Sequence, residues 1–579
     1  MIDSRSTGSV PTNPVAHWDV TLPDEGATGR LAMDLAAMLR PGDLVTLDGD
    51  LGAGKTTLAR ALIRELAGDP ELEVPSPTFT LMQGYDLPRL RVVHADLYRL
   101  GDASELDELG WSEQTDGAVT LVEWPERAGG AILQPDRLEV HIALPVGGPE
   151  TLRRLRLFGF GRLAGALFRM KSIRALIDQT GFGPAHRRHL QGDASTRSYE
   201  RLVGARRNAV LMNAPRRPDG PPVRGGRPYS QIAHLAEDVK PFVAMARGLR
   251  ERGFSAPAIY GGDLEAGLLI IEDLGEEGVL GGTPPAPLPE RYEAAVDVLA
   301  ALHAMELPDT LPVAQGIDHH IPAYDLQALL IEAELLLDWY LPHSGVSLAA
   351  DARQSFRQLW TVALAPALAQ KPVWVLRDYH SPNLMWLPDR DGLARVGLLD
   401  FQDAVMGPAA YDVASLGQDA RIDVPEALEL ALLGRYAKAR READPAFDVR
   451  GFAASYAVMG AQRATKILGI FARLNHRDRK PAYLRHLPRI WNYLQRCLAF
   501  TELEALASWY KDHVPAPGAR PRFEAGAAGL ATRTPAPPPP ASPLPEPAAP
   551  SAAAAPSAEV TADAPAPSTP ETPNDSSST

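Results

Sequence analysis

Cysteine is almost missing from this chain: Cys497 is the one thiol among 579 residues. A single thiol excludes an intrachain disulfide and any zinc cluster built on cysteines. Long apolar runs are missing too, with none near the roughly 20 residues that a membrane span needs. Residues 1–18 are polar and lack the apolar core of a secretion signal. The expectation is a cytoplasmic chain with no membrane segment. Positive charge is in deficit, 58 Lys and Arg against 72 Asp and Glu, for a formal charge of -14. That balance argues against a broad grip on a nucleic-acid backbone by this chain alone. Aromatic residues stop at Phe523, and Ala, Pro, Ser and Thr dominate to the end. So few large apolar groups do not offset ordering entropy, and 513–579 reads as a disordered Pro/Ala-rich tail. Residues 1–14 read as a short disordered N-terminus.

What remains is long enough for more than one core. Leu31, Leu35, Met38 and Leu39 share one helical face, and Pro41-Gly42-Asp43 ends that helix. A short apolar run, Leu44 to Leu47, then enters Gly49-Asp50-Leu51-Gly52-Ala53-Gly54-Lys55-Thr56-Thr57. This is the pattern G-x-x-x-x-G-K-[ST]. Gly49, Gly52 and Gly54 let the backbone turn its N–H groups towards a phosphate. Lys55 adds a point charge, and the Thr56 hydroxyl is placed for Mg²⁺, with Thr57 following in the helix. Three more stretches come at αβ spacing: Ser76-Pro77-Thr78-Phe79-Thr80, His94-Ala95-Asp96-Leu97-Tyr98-Arg99, and Val122-Glu123-Trp124-Pro125-Glu126-Arg127. Asp96 and Glu123 each close a strand-like run, where a carboxylate faces the ligand edge of an open α/β sheet.

Together these four motifs resemble the small bacterial ATPase of the tRNA threonylcarbamoyladenosine pathway, over residues 15–162. The resemblance implies an α/β P-loop NTPase domain that hydrolyses ATP with Mg²⁺. It implies a partner complex of the threonylcarbamoyl-transferase and its non-catalytic paralogue, with tRNA met only indirectly. By the same likeness Asp96 takes the catalytic or water-orienting role, Glu123 the metal-side role, and Trp124 lies beside the nucleotide. Leu138, Val140, Ile142 and Leu144 alternate as a late strand, Leu152 to Arg162 reads as a terminal strand with solvated arginines, and residues 163–170 read as a linker.

A second pattern begins near Lys171. Gly192-Asp193-Ala194-Ser195-Thr196-Arg197-Ser198-Tyr199 lies between strand-like runs, where a nucleotide-covering loop would sit. Leu268 to Glu272 reads as a strand before a helical region, with helices at Tyr292–His303, Leu326–Tyr340, Arg353–Leu368, Pro425–Ala439, Ala453–Leu474 and Leu487–Leu506. Between them lie Asp378-x-His380-x-x-Asn383 and Leu399-Asp400-Phe401. The interval from Asp378 to Asn383 is that of a kinase catalytic loop. Phosphoryl transfer asks for such a set, a carboxylate to orient a hydroxyl plus an amide and a second carboxylate for metal.

These clusters, with Gly407 to Leu416, resemble the aminoglycoside phosphotransferase and choline kinase superfamily over residues 171–512. The covering loop and Val210-Leu211-Met212-Asn213-Ala214-Pro215 are similar to the anomeric sugar kinases of cell-wall recycling. The resemblance implies an α+β protein-kinase-like domain that phosphorylates the C1 hydroxyl of N-acetylmuramate and N-acetylglucosamine with ATP and Mg²⁺. Asp378 would be base or orienter, Asn383 and Asp400 metal ligands, His380 a support for the loop and Asp412 a brace. Choline or an aminoglycoside as acceptor, and a ligand-sensing domain without transfer, are the alternatives. Met212 stands where kinases carry the phosphate-binding lysine, so Arg197 is the expected replacement charge.

Overall fold

The computed structural model describes residues 16–190, 197–216, 219–518 and 559–560. They form two compact units, one of residues up to 193 together with 199–211, the other of 194–198 and 212 onward. Apart from Glu559–Val560, the expected tail beyond 518 and the N-terminal segment 1–14 lie outside the described residues, as do 191–196 of the covering loop.

The first unit begins with β1 (Ala16–Leu22), α1 (Glu25–Met38), β2 (Leu44–Asp48) and α2 (Lys55–Ala67). Asp24 caps α1 by accepting a hydrogen bond from the Ala27 N–H at 2.7 Å. Then come β3 (Met82–Asp86), β4 (Arg91–Asp96), two short helices, β5 (Val119–Glu123), β6 (Arg137–Ala143) and β7 (Arg153–Phe160). The sheet order is β1-β7-β6-β2-β5-β4-β3. Its centre is parallel, β2 between β5 and β6 and β4 beside β5. Antiparallel strands close both sides. Val45, Leu47, Val92, Val93, Leu121 and Val122 are fully or almost fully buried. Such near-continuous apolar runs are what strands covered on both faces require.

The stretch 163–170, expected as a linker, is helical: it lies inside α3 (Arg162–Gln179). Leu163, Leu167, Met170, Ile173 and Ile177 recur at helical spacing and are buried in the first unit. The same unit takes in a hairpin, β8 (His186–Leu190) with β9 (Ser198–Val203), in register from His186↔Val203 to Leu190↔Tyr199. Asp34 on α1 receives both Arg174 and Arg187, at 2.7 Å and 2.5 Å, and Arg187 also grips Glu200 at 2.6 Å. Burial alone would lower the Arg187 pKa, but Glu200 and Asp34 outweigh it and the guanidinium is held charged.

The second unit is mainly helical. Its longest helix, Val449–His476, is buried along much of its length, with Phe452, Tyr456, Met459, Leu468 and Phe471 inside. Two short antiparallel ladders carry the loops of interest: Val373–Val375 pairs with Val405–Gly407, and Leu384–Trp386 pairs with Val396–Leu398. The helix expected over Leu326–Tyr340 is regular only to Ala333 and widens to a π turn at Leu336–Tyr340. The one expected over Leu487–Leu506 is two, Leu487–Leu498 and Glu504–His513. Phe500 is extended (φ -71°, ψ 139°), and Thr501-Glu502-Leu503-Glu504 has the pattern of a new helix start. Glu559–Val560, within the segment expected as a disordered tail, pairs with Gly262 and Asp263 along the strand Ile259–Asp263. A strand edge offers backbone groups for such pairing.

Among the described residues no helix is long and apolar enough to cross a membrane.

Candidate active sites

In the first unit the loop from Gly49 to Gly54 joins the C-terminal end of β2 to the N-terminus of α2. Gly49 and Gly54 both have positive φ, 149° and 105°. A Cβ on Gly49 would overlap the Ile142 carbonyl oxygen, so only glycine fits there. The Lys55 Nζ donates to the Gly49 and Asp50 carbonyls at 2.6 Å and 3.0 Å and lies 3.6 Å from the centroid of the Trp124 ring. Burial lowers the Lys55 pKa against the opposing pull of Glu123, Glu126 and Asp96.

Parallel neighbours bring the two expected carboxylates to the same edge, with Asp96 directly opposite Glu123 across β4 and β5. The Thr56 hydroxyl donates to Glu123 Oε2 at 2.8 Å. Two oxygens from α2 and β5 thereby converge, which suits a Mg²⁺ that keeps most of its water and takes phosphate oxygens besides. Thr57 stands next in the first turn of α2. Trp124, at φ 59°, presents its ring to Lys55 and to Tyr98 at 5.1 Å.

Sequence reasoning gave no role to three polar partners here. His94 is fully buried and its Nε2 meets Glu123 Oε1 at 2.9 Å. Ser76 and Thr78 donate to Asp96 Oδ2 at 3.0 Å and 2.8 Å, and the Tyr98 N–H reaches Oδ1 at 3.1 Å. The S-P-T-F-T stretch therefore fixes the Asp96 carboxylate. Hydroxyls at alternate positions were its signal, but nothing local says which carboxylate they meet.

In the second unit the catalytic-loop set converges through backbone geometry. The ladder pairing Leu384 with Leu398 places Asn383 beside Leu399, whose N–H donates to the Asn383 carbonyl at 3.0 Å. Asn383 Nδ2 donates to the Asp378 carbonyl at 2.9 Å, which leaves the amide oxygen as the atom that could hold a metal. Arg377 and Asp400 both adopt left-handed backbone, φ 66° and 58°. Non-glycine residues held there cost free energy and persist only when their surroundings fix them.

The fixing groups are explicit. Asp412 accepts the N–H groups of Leu376 and Arg377 at 2.6 Å and 2.9 Å. The Arg377 guanidinium bonds to the Ala233 carbonyl at 2.8 Å and to Glu332, which also takes Lys466 at 2.8 Å and the Tyr324 hydroxyl at 2.5 Å. Asp419 accepts both the N–H and the hydroxyl of Ser381, at 2.9 Å and 2.6 Å. His380 is buried with its Nε2 4.0 Å from Asp378 Oδ1, and burial lowers its pKa.

Asp400 accepts from Gln402 Nε2 at 2.8 Å and lies 3.4 Å from Arg197 Nη1. Desolvation, then the Asp378 carboxylate, pushes the Asp400 pKa up to about 6. A carboxylate raised by burial and by a neighbouring carboxylate suits a site that receives a divalent cation. Met212 is buried, and no charge enters from that position. Arg197, the expected replacement, stands beside Asp400.

Comparison with known proteins follows the same division. The family model for threonylcarbamoyl adenosine biosynthesis protein TsaE matches residues 22–146, and that for the phosphotransferase enzyme family matches 186–446. The N-acetylmuramate/N-acetylglucosamine kinase of Caulobacter vibrioides is 40% identical over 354 residues, 59% of this chain and 95% of the relative. Its counterpart in Pseudomonas aeruginosa is 36% identical over 321 residues, 55% of this chain and 85% of the relative. The TsaE protein of Rickettsia conorii is 42% identical over 122 residues, 21% of this chain and 69% of the relative. A glycine-cradled P-loop and a kinase-type catalytic loop on one polypeptide, each with its own relatives, place this chain in two families: TsaE through a part that includes residues 22–146, and the N-acetylmuramate/N-acetylglucosamine kinases of the phosphotransferase family through a part that includes 186–446.

Proposed function

We propose that the chain is a bifunctional enzyme. Its P-loop part hydrolyses ATP in support of threonylcarbamoylation of adenosine 37 in tRNA, working with the threonylcarbamoyl-transferase and its non-catalytic paralogue. Its kinase part moves the γ-phosphoryl group of ATP to the anomeric hydroxyl of N-acetylmuramate or N-acetylglucosamine in the cytoplasm, serving cell-wall recycling.

One observation carries the kinase reading: Asp378, Asn383 and Asp400 are brought together by a two-strand ladder and held by buried partners. Asp378 orients the sugar hydroxyl and draws off its proton as the O–P bond forms. Asn383 and Asp400 would hold Mg²⁺, which would neutralise charge on the phosphates. Arg197 supplies the positive charge that other kinases take from a strand lysine. Orientation and fixed charge of this kind account for most phosphoryl-transfer catalysis.

In the P-loop part the backbone N–H groups from Gly49 to Gly54 hold the β-phosphate, and Lys55 exchanges its carbonyl partners for phosphate oxygens. Thr56 and Glu123 take the metal side. Asp96, fixed by Ser76 and Thr78, orients the attacking water.

Incubating the full-length protein with ATP and N-acetylmuramate, N-acetylglucosamine, choline or an aminoglycoside tests the kinase reading. The expected result is a sugar 1-phosphate with either amino sugar, reduced at least about 100-fold in D378N. Product with choline or the aminoglycoside alone refutes the sugar assignment. The buried Met212 favours a second reading, a ligand-sensing unit without transfer. Sugar binding by calorimetry with no phosphorylated product would establish it.

A further inference from the structure

Three arginines, Arg421, Arg485 and Arg489, gather around His380 and His486 beside the catalytic loop. Arg421 Nη1 lies 3.1 Å from Nε2 of His380, the same nitrogen that stands 4.0 Å from the Asp378 carboxylate. Arg421 follows the buried Asp419, whose Oδ1 accepts its backbone N–H at 2.8 Å while Oδ2 holds Ser381. The guanidinium is thus tied, through a rigid turn, to the loop that carries Asp378.

Two more arginines adjoin it. Arg489 Nη1 donates to the Ala420 carbonyl at 3.2 Å and reaches His486 Nδ1 at 2.8 Å, and Arg485 Nε reaches His486 Nε2 at 3.2 Å. A neutral imidazole has a single acceptor nitrogen. With a guanidinium donor aimed at each ring nitrogen, one of the two contacts sets N–H against N–H. Burial, then Arg489, Arg485 and Arg421, holds the His486 pKa down, so the ring does not add to the charge. Asp423 pairs with Arg489 at the exposed edge of the group. An anion that engages Arg485 or Arg489 would relieve the unfavourable contact.

We propose that Arg421 is the specificity-determining residue of the kinase site, receiving the carboxylate of an acidic hexose while Asp378 engages the anomeric hydroxyl. Arg485 and Arg489 supply the supporting field. Asp378 and Arg421 both approach His380 Nε2, at 4.0 Å and 3.1 Å, so one ligand can meet both. N-acetylmuramate carries such a lactyl carboxylate and N-acetylglucosamine does not. The inference rests on the sugar-kinase reading above and adds to it the origin of a preference between the two sugars.

Steady-state kinetics of the full-length enzyme with each sugar test it, comparing wild type with R421M, R421K and R489M. In R421M the ratio of kcat/KM for N-acetylmuramate to that for N-acetylglucosamine should fall at least ten-fold, through KM. R421K should keep most of the preference, and R489M should lose part of it. In the wild type, added salt should raise KM for N-acetylmuramate more than for N-acetylglucosamine, a readout that needs no variant. Equal losses on both sugars, a rise in KM for ATP with either sugar, or an unchanged ratio each overturn the assignment of Arg421. A wild-type enzyme that phosphorylates neither sugar refutes the kinase reading itself, and the inference with it.

Discussion

The Lys55 ammonium lies 3.6 Å from the centroid of the Trp124 ring while donating to two carbonyls of its own loop. Engaging a phosphate trades these contacts for charged oxygens, and the indole loses its cation. ATP binding to the P-loop part should therefore change the fluorescence of Trp124. K55A should abolish that change and cut ATP hydrolysis at least about 100-fold, the range for loss of a fixed charge at a transferring phosphoryl group. Sugar phosphorylation by the same variant should stay within about two-fold of wild type. A comparable loss of both activities would show that the two sites do not work independently.

His94 and Glu123 form a second pair with a measurable consequence. In H94F the Glu123 carboxylate loses a buried partner, which costs about 1–3 kcal/mol. The thermal midpoint of the first unit should fall, and ATP hydrolysis with it. H94Q, able to donate to the same oxygen, should recover part of both. Calorimetry alongside a phosphate-release assay would check this.

Arg197 is expected to act on ATP rather than on the sugar. R197A should raise KM for ATP about ten-fold, equivalent to about 1.4 kcal/mol, with a smaller effect on KM for the sugar. Unchanged KM for ATP and unchanged kcat would remove Arg197 from the site and reopen the question that Met212 poses.

Asp412 sets a pH dependence of stability. Burial raises its pKa from the usual 3.8 to about 7 in the folded protein, against the pull of the two backbone N–H groups it accepts. Between these values the folded state holds a proton that the unfolded state has released. Stability contributed by this group is therefore full below about pH 4 and is lost as pH rises towards 7, at up to about 1.4 kcal/mol per pH unit. Denaturant unfolding of the second unit at several pH values should show this slope, and D412N should flatten it. A D412N protein with the wild-type slope would assign the titration to another group.

Much of each candidate site was legible because it is local. The P-loop announces itself in nine consecutive residues, and Asp378 with Asn383 in six, since short backbone turns impose fixed spacings. Partners that meet across the fold were not legible. His94 and Glu123 are 29 residues apart and become neighbours only when β4 pairs with β5. Glu332 joins Arg377 and Lys466 from three distant segments. The break at Phe500 turned on one extended residue inside an otherwise helical pattern. Residues 163–170 read as a linker because Gly165 and Arg169 interrupt a sound apolar stripe.

Asp34 carries a practical consequence for anyone who would divide this polypeptide. The family match for the kinase begins at residue 186, yet Arg187 is anchored at Asp34, deep in the N-terminal fold. A scission placed at residue 162 would strip Arg174 and Arg187 of their shared counterion and uncover the apolar stripe of α3. Removing one member of a buried ion pair typically costs about 3–5 kcal/mol. The break between the two family matches is thus not the break between the two compact units, and a kinase cut at residue 162 would carry Leu163, Leu167 and Ile173 exposed.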